Sequence, residues 1–134
     1  MKYHMVNTRK RHSNTAHKRM LKDKVVMACH STRDEIEEIS KGDFVFLFQN
    51  KVGIIAMGRA SGVRKIVNFE QIEDAGMIQK LSGFTRLKTP IQAATVTAML
   101  RNFAGYKKGV YAKTRVEIPT NCGIVLRAVG EAVS

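Results

Sequence analysis

The stretch Lys41 to Gly62, KGDFVFLFQNKVGIIAMGRASG, limits the fold more than any other part of the chain. Phe44-Val45-Phe46-Leu47-Phe48 is apolar at both alternations, and successive side chains of a strand point to opposite faces. Such a strand has to be covered on both sides, by a barrel interior on one and by a helix on the other. Gln49-Asn50-Lys51 supplies a turn, and Val52 to Met57 returns as a second strand. Gly53 and Gly58 there mark bulges or bends of the kind found at barrel corners. Ala60-Ser61-Gly62 reads as a further turn into a third strand, Val63 to Glu70. Val63, Lys65, Val67 and Phe69 fall on one side of it, and Arg64, Ile66 and Asn68 on the other. Strands joined by short turns make a meander, the usual start of a barrel.

The flanking segments complete an α+β chain. Tyr3 to Asn7 reads as a first strand. Ser13 or Asn14 can cap a helix over residues 14–22, with Ala16 and Met20 on one face. Val25 to Cys29 is a strand, and Asp34 to Ile39 holds helical turns with Ile36 and Ile39 inward. Glu70 to Leu87, punctuated by Gly76 and Gly83, reads as mostly loop with a helical turn near residues 75–81. Thr89-Pro90 opens a helix over residues 91–103, with Ile91, Ala94 and Ala98 on one stripe and Gly105 closing it. Val110 to Ile118 is a strand ended by Pro119, and Gly123 to Ala128 is a last strand or short helix. No repeat or low-complexity linker interrupts the 134 residues, so one domain is expected.

Charge is the second constraint. The chain has 23 Lys+Arg against 11 Asp+Glu, a formal net charge of +12. Residues 1–24 carry eight of the cations and one acid, Asp23, and so hold +7 of that total. Such an excess attracts polyanions through steering and counterion release, and nucleic acid is the expected partner. No apolar N-terminal stretch suggests a secretory signal, and no run approaches the ~18 apolar residues of a membrane span. Cys29 and Cys122 stand far apart without a Cys-x-x-Cys pair, which suits free thiols in a reducing cytoplasm.

Catalytic signatures are weak. His4, His12, His17 and His30 show no metal-ligand spacing, and neither phosphate-loop nor nucleophile-elbow motifs occur. Cys29 beside His30 would point to opposite faces of a strand. The carboxylates of Asp34 to Glu38 fit a solvated helical face. A small basic ribonuclease using His12, His17 or His30 stays open as an alternative, as does a structural protein of an RNA assembly. With six Phe, three Tyr and no Trp, a pocket for one base is a better fit than a long stacking platform.

Tyr3-His4-Met5-Val6-Asn7-Thr8, Val25-Val26-Met27-Ala28, and Lys41-Gly42-Asp43-Phe44-Val45-Phe46-Leu47-Phe48 answered by Val52 to Ala60 together resemble the EVE domain. Leu87-Lys88-Thr89-Pro90-Ile91 is similar to that family's Pro-led helix, and Gly109 to Pro119 to its closing strand. The EVE domain belongs to the PUA-like superfold, with the YTH and ASCH domains. The resemblance implies a mixed β-barrel of five or six strands with flanking helices. It also implies a pocket at the barrel mouth for a base, often a modified one, turned out of its strand. Relatives occur beside nuclease or motor domains that restrict modified DNA, so a nuclease or restriction-system subunit is an implied partner. Mapped here, the pocket would use Asn7, Thr8, Asn14, Met27, Cys29 and Phe48. Relatives that cage a methyl group use Trp; this chain has none, and Met27 stands near that place, leaving a Met, Phe or Tyr wall.

The expected function is therefore a non-enzymatic nucleic-acid-binding module with no cofactor and no metal. A base would enter the pocket, and Arg9, Lys10, Arg11, Lys18, Arg19, Arg59, Arg64 and Lys65 would contact phosphates.

Overall fold

A computed structural model describes residues 1–10, 14–105 and 113–134, with the backbone alone at 103 and 104. The expected positions of Arg11, His12 and the Ser13 cap lie outside the described residues, as do 110–112 of the closing strand. The elements run β1 (Tyr3–Asn7), α1 (Asn14–Asp23), β2 (Val25–Cys29), a 3-10 segment (His30–Glu38), β3 (Phe44–Gln49), β4 (Gly53–Phe69), β5 (Ile72–Gln92), α2 (Ala93–Ala104), β6 (Arg115–Ile118) and α3 (Thr120–Ala132). The six strands form one curled mixed sheet in the order β2-β5-β4-β3-β1-β6. β1 pairs parallel with β3, and the other neighbours are antiparallel. This is the PUA-like α+β architecture, as a half-barrel.

β3 is buried along both faces, and its alternation divides the molecule into two cores. Val45 and Leu47 join Val6, Ala16, Met20, Val26, Ala28, Ile36 and Ile39 inside the curl, beneath α1 and the 3-10 segment. Phe44, Phe46 and Phe48 face the other way, onto Val96 and Leu100 of α2 and Cys122 and Leu126 of α3. Tyr3, Phe44 and Phe46 interlock there, with ring centroids 5.2 to 6.2 Å apart. Ala16 and Met20 of α1 are buried together, as their four-residue spacing requires.

Three local expectations are corrected, and a fourth is decided between its alternatives. Ala60-Ser61-Gly62 is no turn between strands: β4 runs through it, with a bulge that sets Ala60 opposite Leu81 and Arg64 opposite Gln79. Glu70 to Leu87 is strand rather than loop. Glu70 and Gln71, both with positive φ, form the two-residue hairpin turn, and Ile72 to Gln92 return alongside β4. Pro90 sits at the end of that strand, so α2 begins at Ala93, and its buried residues are Val96 and Leu100 while Ala94 and Ala98 are exposed. Of the two alternatives left for Gly123 to Ala128, the structure has helix.

Two glycines of α3 provide a test of packing. A methyl group at Gly123 would overlap the flat of the Tyr3 ring, wedged between α3 and β1. At Gly130 it would meet the Met57 sulfur at 2.8 Å, the movable end of a flexible chain. Gly123→Ala should lower stability to urea by about 1–3 kcal/mol through overpacking. Gly130→Ala should stay within about 1 kcal/mol, because alanine favours the helix by a similar amount. Equal losses at both sites would refute this account of the α3 seam.

Candidate functional site

The chain leaves β1 through a side-chain-built turn. Asn7 Oδ1 accepts the Arg9 N–H at 2.8 Å, and Arg9 adopts positive φ. The Asn7 amide donates to Asn50 Oδ1, and the Thr8 N–H donates to the Phe48 carbonyl. Thr8 Oγ1 is hydrogen-bonded to His17 Nδ1 at 2.8 Å, which ties α1 to the end of the strand. Burial, with Lys10 and Arg86 nearby, holds His17 below the usual histidine range. The Arg9 guanidinium donates to Thr114 Oγ1 at 2.7 Å, and so reaches the residue just before β6.

A cavity of about 370 Å³ opens at this mouth. Ala16 and Met20 of α1, Met27, Ala28 and Cys29 of β2, and Phe69 at the hairpin give it apolar walls. Arg9, Thr114, His30, Ser31, Thr32 and Glu70 form its polar rim. Lys65 pairs across the sheet with Ile78, which pairs with Met27, so all three share the face that carries the cavity. Gly76 lies between Cys29 and Val67 in the same ladder, and a methyl there would come within 3.0 Å of the Met27 terminal carbon. The His30 ring meets Phe69 edge-on at 5.6 Å. Burial, with the Glu70 carboxylate nearby, pushes the Cys29 thiol up to about 11, so it is a neutral wall group.

The other flank of α1 borders a second, larger groove of about 780 Å³. Lys10, Lys18, Arg19, Lys22 and Arg86 line it, with Asn14, His17, Leu21 and a single acid, Asp23. Arg19 Nε stands 3.5 Å from Asp23 Oδ2, which leaves the lysines as an excess of positive charge beside the mouth. Among the described residues, no group of three His, Cys, Asp or Glu side chains is placed to hold a metal ion.

The expected site residues therefore divide. Met27 and Cys29 line the apolar cavity, with Arg9 at its rim. Asn14, Lys10, Lys18 and Arg19 line the basic groove. Asn7 and Thr8 are buried and build the turn beneath the mouth, lining neither cavity. Phe48 is corrected outright: strand alternation turns it into the core under α2 and α3. Arg59 pairs with Phe44, at the far end of the sheet, and donates to the Gly42 carbonyl at 3.1 Å, away from the mouth. Arg64 donates to the Ile39 carbonyl at 3.0 Å, while Lys65 is exposed. The site's apolar walls Met20 and Phe69 and its cation Arg86 were missed as a set. Each sits on a different element, and no spacing rule links them.

A buried polar chain braces β1, β3 and β6. Arg115 Nη1 lies 3.2 Å from His4 Nδ1, and guanidinium can only donate. His4 Nδ1 is thus the acceptor, and its Nε2–H donates to Asp43 Oδ2 at 2.8 Å. Asp43 also accepts the backbone N–H groups of Lys2 and Ser40. Arg115 Nη2 reaches Glu35 at 3.4 Å. Burial lowers the His4 pKa against the pull of Asp43, and the neutral ring fits the tautomer Arg115 requires. Burial raises the Asp43 pKa, but the Lys2 N–H, His4 and the Ser40 N–H outweigh it and hold the carboxyl ionised.

The sign of the pH effect follows. His4 and His17 bind protons less readily when folded than at their ordinary 6.5, so stability should fall as pH drops below about 6.5. Asp43 adds its loss only at lower pH, as its depressed pKa is crossed. His4→Gln should be less stable by about 1–3 kcal/mol near neutrality, yet show a shallower loss on acidification. Thermal unfolding across this range measures both, and an unchanged acid slope would remove His4 from the account.

No family model matches the chain, and no curated protein matches it. Solved structures do, at low identity. A hypothetical protein from Leishmania major superposes with a TM-score of 0.64 at 11% identity, covering 98% of this chain and 96% of that one. A Rhodopseudomonas palustris protein gives 0.62 at 12% identity, covering 100% and 96%. Human THYN1, solved in complex with DNA containing 5-methylcytosine, gives 0.61 at 8% identity and covers 98% of each chain. At such identities the likeness speaks for architecture, and with the six-stranded curl and its helices it places this chain in the EVE/PUA-like fold.

Proposed function

We propose that this chain is a nucleic-acid-binding module without catalysis of its own, which takes a single base, natural or modified, into the cavity at the mouth of the curl. The observation that carries the reading is the pairing of two unlike cavities across α1. One has apolar Met20, Met27 and Phe69 walls, and the other is lined by Lys10, Lys18, Lys22 and Arg86. A volume of about 370 Å³ falls within the usual range for small-ligand pockets. The base would lie against thioether and phenyl surface, with Arg9, Thr114, Thr32 and Glu70 offering donors and acceptors to its edge. Phosphates would follow the basic groove, with Lys65 on the cavity's own face as a further contact. The DNA complex of a protein with the same fold supports the reading at the level of architecture. His17 is committed to Thr8, and Cys29 is held neutral, which favours a reader over a nuclease. A reader of this kind would act beside a nuclease or restriction-system subunit, in the reducing cytoplasm that its free Cys29 and Cys122 suit.

Fluorescence anisotropy at two salt concentrations tests this. The ligands are matched single- and double-stranded DNA and RNA, each with and without methylated or hydroxymethylated bases. A gain that depends on the base and survives added salt is expected. Neutralising Lys10, Lys18 and Lys22 together should lower the salt slope by about 3, near one per phosphate contact. Gly76→Ala, which crowds Met27, should reduce the base-dependent gain and leave the salt slope unchanged. Uniform binding erased by salt would overturn the pocket, and cleavage of the oligonucleotides would overturn the absence of catalysis.

A further inference from the structure

α3 is apolar on the side it buries and also on the side it shows to solvent. Cys122, Gly123, Leu126 and Gly130 pack inward. Asn121, Ile124, Val125, Ala128, Val129 and Ala132 form an exposed, uncharged strip, with the exposed Glu131 at its edge. Ile124 is 55% exposed, Val125 40% and Val129 38%. A contiguous apolar strip on a soluble surface marks a contact site. In a chain of net charge +12, this uncharged strip is a surface through which a like-charged copy can approach.

We infer that α3 is the seat of a symmetric dimer, in which the outer face of α3 packs antiparallel on the same face of a second copy. The sequence is self-complementary in that arrangement. With a two-fold axis between positions 128 and 129, Ala128 faces Val129 of the second copy, and Val125 faces Ala132. Val129 and Val125 then meet alanines, as ridges meet grooves in close helix packing, and Ile124 falls opposite Val133. Charge agrees. Arg127 and Glu131 lie on one flank, 3.0 Å apart within each helix. The antiparallel register brings each Arg127 to within a turn of the other copy's Glu131 on the same flank. The α3 face belongs to the core opposite α1, so the dimer leaves both basic grooves and both mouths facing outward. Two linked copies engage one polyanion with avidity that neither has alone. The dimer does not depend on the function proposed above.

Sedimentation velocity over a concentration series, with the chain free of nucleic acid, is the test. A monomer–dimer equilibrium is expected, shifted to monomer by Val129→Lys, with the circular dichroism spectrum unchanged. A helix pair alone gives an interface at the small end, below about 1,200 Å² in total, so the dimer should dissociate on dilution. Oxidation of Ala128→Cys should cross-link two copies, because those positions flank the axis. Asn121→Cys should not, because the antiparallel register holds the two residues about 22 Å apart along the helices. Wild type controls for Cys29 and Cys122. A chain that stays monomeric up to millimolar concentration overturns the inference, as does a dimer that survives Val129→Lys. Cross-linking through Asn121→Cys overturns the antiparallel arrangement.

Discussion

Strand β3 has no polar face, and both layers of the molecule are built on that. Its aromatic positions, Phe44, Phe46 and Phe48, require a helical cover, which α2 and α3 provide. Its aliphatic positions, Val45 and Leu47, require an enclosed interior, which the curl of the sheet, α1 and the 3-10 segment provide. Burying a large apolar side chain contributes about 1.5–3 kcal/mol, so this strand alone accounts for a large part of the drive to close both sides. Because β1 lies parallel to β3, the connection between them has to leave the sheet and return, and α1 and β2 lie in that crossover. The end of β1 and the start of α1 are thereby set at one mouth, where the apolar cavity and the basic groove form.

How much of this could be read from the residues depends on whether a strand kept its pattern visible. β1, β2 and β3 were legible because their apolar runs are short and bounded. β5 was not. Ala75, Met77, Gln79 and Leu81 do alternate inward, but the polar Gln79 breaks the apolar period. Its side-chain amide can be buried because Nε2 donates to the Ile36 and Ile39 carbonyls and Oε1 accepts from the Gly62 N–H. Those partners are remote in sequence and hidden from any local pattern. The hairpin turn was equally disguised, since Glu70-Gln71 is not a pair that advertises positive φ. The bulge at Ser61 and Gly62 looked like a turn because a bulge and a turn draw on the same small residues.

The candidate site was legible in chemistry and only partly in place. Concentrated charge in residues 1–24 falls on and beside α1, and Lys10, Lys18 and Arg19 line the groove along it. The amides expected to read a base, Asn7 and Asn14, could not be placed by sequence. Asn7 forms the turn out of β1, and Asn14 stands on the basic flank of α1 instead of the apolar one. Phe48 failed by one residue of alternation. On a strand apolar at every position, periodicity cannot say which face is which, and only the partner elements decide it. Arg59 lies away from the mouth for a related reason: a 17-residue strand carries its two ends to different parts of the surface.

The two cores also separate two kinds of surface. On the side of α1, several polar groups that turn inward are held by partners, among them Thr8 with His17 and Asp43 with His4. Side chains so fixed leave the mouth preorganised, and a ligand there spends little of its binding free energy on ordering the protein. On the side of α3, the exposed strip is apolar, with the Arg127–Glu131 pair along one flank. An apolar strip is stabilised by being covered, while a basic face attracts polyanions when it stays open. A sheet curled around one core and backed by two helices keeps these demands apart, because a contact made through α3 need not disturb the turn at Asn7 that shapes the mouth.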